Sequence, residues 1–303
     1  MEQRTITTAS DDWLAFYREQ SAITNPRQRA GAFDFLPSEA AEISELLQNV
    51  LIHNWKIRSA GIVLDERRRL DIETRPVARL LERIDEAATL PWDVERDIER
   101  RIVVDCRHFA TLLCSILRHR SVPARVRHGF ASYLQPGHSQ SHVICEYWDA
   151  VASRWERFDP DTLQPCADDS RFISADAAWR GIRAGILDPE QFGYAPDLRG
   201  AWCVRWEVVR DFAALNRHEM LTFDIWGLNG TYPYDAPLEP GDALLLDEIA
   251  LQLRDERINF AALRAIYERD SRLRVPRIIH SQPYTTGRTE MVDLTLDGSM
   301  TSV

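Results

Sequence analysis

The chain has 303 residues, 45% of them hydrophobic and 28% charged, which supplies ample apolar material for a core and excludes a disordered or collagen-like polymer. Its 37 basic and 47 acidic side chains leave a formal charge of -10, which opposes attraction to phosphate backbones or anionic lipid. Nucleic acid is therefore excluded as a general partner.

The opening residues through Gln20 lack the uninterrupted apolar run of a signal peptide, and no later stretch approaches the roughly 18 apolar residues of a membrane span. A soluble, cytoplasmic protein with no membrane partner is expected. Cys106, Cys114, Cys145, Cys166 and Cys203 are odd in number and contain no C-x-x-C pair, which argues against a disulfide framework and against a zinc site. No metal is expected.

In chain order, Trp13, Phe16 and Tyr17 sit at helical spacing, and Ala41, Ile43, Leu46, Leu47, Val50 and Leu51 form an apolar stripe after Pro37-Ser38. Val77, Leu80, Leu81 and Ile84 form another after Pro76, so residues 1–100 read as an all-helical part. One more helix near 106–119 precedes three alternating runs at Arg125–Phe130, Ser141–Trp148 and Arg154–Phe158. A helix followed by consecutive strands implies an α+β core with an antiparallel sheet. Helices return around Ala177–Ala184, Val208–Leu221, Ala243–Leu253 and Ala261–Tyr267, and residues from Ser281 onward read as a loose tail with room for a short strand around Met291–Leu296. No stretch reads as a linker, so one domain over residues 1–303 is expected, with its core at 100–161.

The chemistry concentrates in that core. Cys106 opens a helix whose apolar residues Phe109, Leu112, Leu113, Ile116 and Leu117 recur at helical spacing, with Asp105 as the N-cap. A thiol in the first turn meets unpaired N–H groups and the positive end of the helix dipole, which favour the thiolate and could hold an oxyanion. A nucleophilic thiol also needs a base and a group that orients the base. If Asp149–Ala152 forms the hairpin loop, His142 on the second strand falls directly opposite Asp159 at the end of the third. His108 reads as structural, His128 and His138 as weaker bases, and Arg107 as the partner of a carboxylate such as Glu146.

The run CRHFATLLCSILRHRSVPARVRHGF, then SHVICEYWD, then RWERFDPD, resembles the transglutaminase-like superfamily over residues 100–161. That resemblance implies a papain-like fold in which the cysteine helix packs on an antiparallel sheet, with Cys106 as nucleophile, His142 as general base and acid, and Asp159 orienting His142. Segments such as Phe192-Gly193, Asp211–Asn216, Glu219–Leu221 and Asp224–Gly227 are similar to bacterial transglutaminase-domain proteins. The chain departs from the family pattern at Val104 and Asp105, where glycine is frequent, and at Val143, where an aromatic residue is frequent.

The implied reaction is acyl transfer, or hydrolysis of an amide or thioester, through a thioester on Cys106, with no cofactor. The implied substrate is a small molecule, a peptide or an acyl-carrier-bound group. A peptide hydrolase with the same three residues, or a binding scaffold that retains the fold without turnover, are the alternatives.

Overall fold

The cysteine helix and the sheet beneath it organise the chain, and local sequence explains where each begins. The computed structural model describes residues 12–166, 168–234, 236–254 and 260–300. The helix runs Cys106–His119 and starts where Asp105 accepts a hydrogen bond from the Arg107 N–H. A cap of this kind is worth about 1 kcal/mol. Leu112, Leu113, Ile116 and Leu117 pack with Val126, Val143, Cys145 and Phe158 of the sheet and with Ile43, Leu47, Leu80 and Leu81 of two N-terminal helices. Those helices, Ala40–Val50 and Val77–Ala87, lie where their apolar stripes place them.

Among the described residues the main sheet has seven strands. Ala124–Gln135 and His138–Asp149 are its long antiparallel centre. Arg154–Asp159 and then Gln164–Pro165 extend it on one side, and Phe172–Ser174 pairs with Ala124–Gln135 on the other. Phe192–Ala195 joins the start of the His138–Asp149 strand in parallel and carries Leu198–Arg199. The first hairpin turns in two residues, Pro136 and Gly137, with Gly137 at φ 72°, a conformation that glycine adopts without strain.

The second hairpin settles the register that brings the site together. Asp149 pairs with Arg154, and its side chain accepts the N–H groups of Val151 and Ala152, so it ends the strand and the loop is residues 150–153. The loop therefore lies one residue later than the sequence suggested. Moving a loop by one residue moves the pairing by two, so every side chain keeps its face. Continuing the observed register puts Asp159 across from Ile144, diagonal to His142 on the same face.

Three expectations need correction. Residues 1–100 are not all helical: Leu51–His53 is a strand, paired in parallel with Ile102–Val104. The helix expected at Val208–Leu221 runs Ala201–Leu215 instead, because Arg205, Glu207, Arg210 and Asp211 are buried charges that break its apolar period. The tail is not loose within the described residues. Ile278–Ser281 pairs with Asp224–Ile225 and with Glu290–Asp293, Leu294 is buried, and the buried Arg75 guanidinium binds Asp224, Ser281 and Asp297. Among the described residues no helix is long and apolar enough to cross a membrane.

Candidate active site

Cys106, His142 and Asp159 converge although the chain separates them widely. His142 Nε2 lies 2.7 Å from Asp159 Oδ2, which leaves Nδ1 free of that carboxylate, and His142 stands near enough to Cys106 to pull the thiol's pKa down. Gly129 stands across from His142, and a Cβ there would lie 2.3 Å from the Ile173 carbonyl oxygen. Only glycine permits that close strand pairing behind the imidazole.

The carboxylate is held more firmly than the hairpin alone requires. Asp159 Oδ2 also accepts the Tyr133 hydroxyl at 2.7 Å and the Thr162 hydroxyl at 2.6 Å, while Oδ1 accepts the Asp161 N–H at 2.9 Å and the Thr162 N–H at 3.3 Å. Burial alone would raise its pKa, but His142, Thr162 and Tyr133 hold it down at about 2. For His142, burial pulls the pKa down, yet Asp159 and then Cys106 hold it well above the usual imidazole range. The Asp159 charge thereby favours imidazolium, the form His142 takes when it holds the thiol's proton.

The thiol itself differs from the expectation. Its place at a helix N-terminus was expected to favour the thiolate, but burial pushes Cys106 up to about 11 against the pull of His142. Burial thus opposes the thiolate at Cys106 and His142 favours it. Two first-turn N–H groups are also already engaged: Arg107 N–H binds Asp105 Oδ1, and His108 N–H binds the Asp105 carbonyl. Among the described residues no hydrogen bond from the Cys106 N–H is found.

Of the other candidates, His108 is structural, bridging Asp105 at 2.8 Å and the Thr74 carbonyl at 3.0 Å. His128 is buried against Glu207 at 2.9 Å. Arg107 does not bind Glu146. It donates to the carbonyls of Glu219 and Arg75, while Glu146 is taken by Arg125, Arg127 and Arg157. Glu146 lies on a strand face lined with arginines, and the arginine on the cysteine helix is directed elsewhere.

Sequence reasoning missed four residues. Tyr133 and Thr162 hold Asp159; the Asp-Pro-Asp-Thr string is an Asx-turn signal that could have revealed Thr162, whereas Tyr133 carries none. His53 and Asp161 form a second imidazole–carboxylate pair, Nε2 to Oδ2 at 3.6 Å, placed beside Cys106 by the pairing of His53 with Val104. Among the described residues no three His, Cys, Asp or Glu side chains gather as a metal site, and all five cysteines are free.

Residues 88–160 match the family model of the transglutaminase-like superfamily. A crystal structure named "Putative Cysteine Protease", from Cytophaga hutchinsonii, aligns at 15% identity and a TM-score of 0.32. The alignment covers 53% of this chain and 45% of that one, so it spans less than half of the solved protein. No curated protein matches the chain.

Proposed function

Because residues 88–160 are transglutaminase-like, we propose that this chain is a cysteine-dependent enzyme of acyl chemistry, with Cys106 as nucleophile, His142 as base and acid, and Asp159 as the group that orients and charges His142. The observation that carries the reading is His142 held by Asp159 at 2.7 Å beside the Cys106 thiol, whose pKa it pulls down. His142 takes the thiol proton as sulfur attacks the carbonyl carbon of an amide or thioester. The Cys106 N–H receives the oxyanion, His142 returns the proton to the departing amine or thiol, and a thioester remains on Cys106. An incoming amine or water then gives its proton to His142 and releases the acyl group. The substrate is a small molecule, a peptide or a carrier-bound acyl group.

The test is covalent. Near neutral pH, iodoacetamide should modify Cys106 far faster than Cys114 or Cys203, and His142→Ala should remove that advantage. A panel of amides and thioesters followed by intact-mass spectrometry should then trap an acyl adduct on Cys106. Equal, slow labelling of the three cysteines would favour a scaffold that retains the fold without turnover.

A further inference from the structure

Three carboxyl groups lie around the Cys106 and His142 pair, and two of them are saturated. Asp105 receives His108 Nδ1 at 2.8 Å, Arg107 N–H at 3.1 Å and the Thr222 hydroxyl at 3.0 Å. Asp159 receives five donors, described above. Asp161 is different. Its Oδ1 is buried with no hydrogen-bond partner, and its Oδ2 has only His53 Nε2 at 3.6 Å, beyond hydrogen-bond reach.

That histidine does not neutralise it. His53 Nδ1 accepts the Trp55 N–H at 3.1 Å, so the hydrogen of a neutral ring sits on Nε2, and burial lowers the His53 pKa further. Lys56, the nearest ammonium, is turned to Gln48 Oε1 at 3.4 Å and makes no ion pair with Asp161 within 4 Å. Asp161 is only 3% exposed, while the His53 side chain keeps 15% of its surface in solvent. A buried carboxylate left short of donors is costly unless something else supplies them.

The position of the pair says what that something must be near. His53 is registered against Val104, two residues before the nucleophile, and Asp161 follows Asp159 by two, with its N–H on Asp159 Oδ1. Asp161's charge is among those the thiol feels. We propose that Asp161 is a specificity-determining residue that takes a protonated amine on the acyl donor, so that the preferred donors carry an ammonium group close to the reactive carbonyl. His53 stands 3.6 Å from Oδ2 without bonding it, and Oδ1 is left for the ligand. This inference rests on the proposed function, since it names the substrate class of that same site.

The test reads charge at sulfur without requiring turnover. Full-length protein is treated with aminoethyl methanethiosulfonate, which is cationic, and with sulfonatoethyl methanethiosulfonate, which is anionic. In each the thiolate displaces methanesulfinate and a mixed disulfide forms. Modification of Cys106 is followed by peptide mass spectrometry at low and at high salt. The cationic reagent should react about tenfold faster or more, a preference that persists in high salt because a buried carboxylate is poorly screened. Asp161→Asn, which keeps the shape, should erase most of the preference. In parallel, free α-amino acyl p-nitroanilides should exceed their N-acetylated counterparts in kcat/KM for the wild type and lose that lead in Asp161→Asn. A reactive Cys106 with no charge preference, or one that Asp161→Asn leaves intact, overturns the inference and spares the proposed function; a Cys106 no more reactive than Cys114 overturns the function itself.

Discussion

His142 and His128 leave adjacent strands of one sheet on opposite faces, since His142 stands across from Gly129 and His128 across from Val143. Both are buried, and each has a carboxylate oxygen within hydrogen-bond distance, Asp159 at 2.7 Å and Glu207 at 2.9 Å. What separates them is what stands beside the ring. His142 has a thiol at a helix start; on His128 the second nitrogen, Nε2, is buried without a partner. An imidazole–carboxylate pair is thus an ordinary way to satisfy buried polar groups, and it becomes chemistry only where a nucleophile completes it.

The sharpest way to break this comparison is Asp159→Asn. The amide keeps the shape but loses the charge that favours imidazolium, so reactivity at Cys106 should fall about 10^2- to 10^4-fold. Carbon-13 histidine titration should show His142 above the free-imidazole 6.5 in the wild type and moved down in the variant. The linkage follows from the same shifts. A raised His142 adds stability that is fully present below about 6.5 and is lost as pH rises through its folded-state value. Asp159, held at about 2, adds stability that is present above 3.8 and is lost as pH falls toward 2. Asp159→Asn should therefore flatten both the acid and the alkaline limbs of the stability curve.

His128→Leu probes the other side of the sheet. Glu207 would keep Arg210, Tyr194 and Ser141, so the loss is one hydrogen bond at a buried carboxylate, about 1–3 kcal/mol of unfolding free energy. Urea denaturation should register that loss while Cys106 alkylation stays within about twofold of wild type, a change of less than 0.5 kcal/mol. A collapse of alkylation would mean that the two pairs are coupled through the sheet and that the contrast drawn here is false.

The two pairs also differ in how far the sequence discloses them. Cys106 and its helix are legible because cap and apolar period are local signals that tertiary contacts then reinforce. His142 and Asp159 are legible because strand parity survives a misplaced loop: the hairpin begins one residue late, yet the two side chains stay on one face. Glu207 is hidden, for it lies in the stretch of the Ala201–Leu215 helix whose buried face is charged, where hydrophobic periodicity has nothing to read. His53 is hidden for another reason. It reaches the site through a three-residue parallel pairing of strands about fifty positions apart, and parallel pairing leaves no short-range pattern.

The finest discrimination comes from Tyr133→Phe, which leaves every member of the proposed triad in place. Tyr133 donates to the same Asp159 oxygen that holds His142, so its hydroxyl competes with imidazole for that oxygen while also fixing where the oxygen sits. If positioning dominates, the variant should lose about 1 kcal/mol at the transition state, seen as a roughly three- to tenfold lower kcat/KM or alkylation rate. If competition dominates, the freed oxygen binds His142 more tightly, His142 titrates higher, and the rate holds or rises. Thr162 bears on the choice: its hydroxyl at 2.6 Å and its N–H at 3.3 Å already pin both carboxylate oxygens. With Asp159 pinned from the turn that follows it, the loss should fall toward the lower end of that range, and Thr162→Val added to Tyr133→Phe should cost more than the two single changes together.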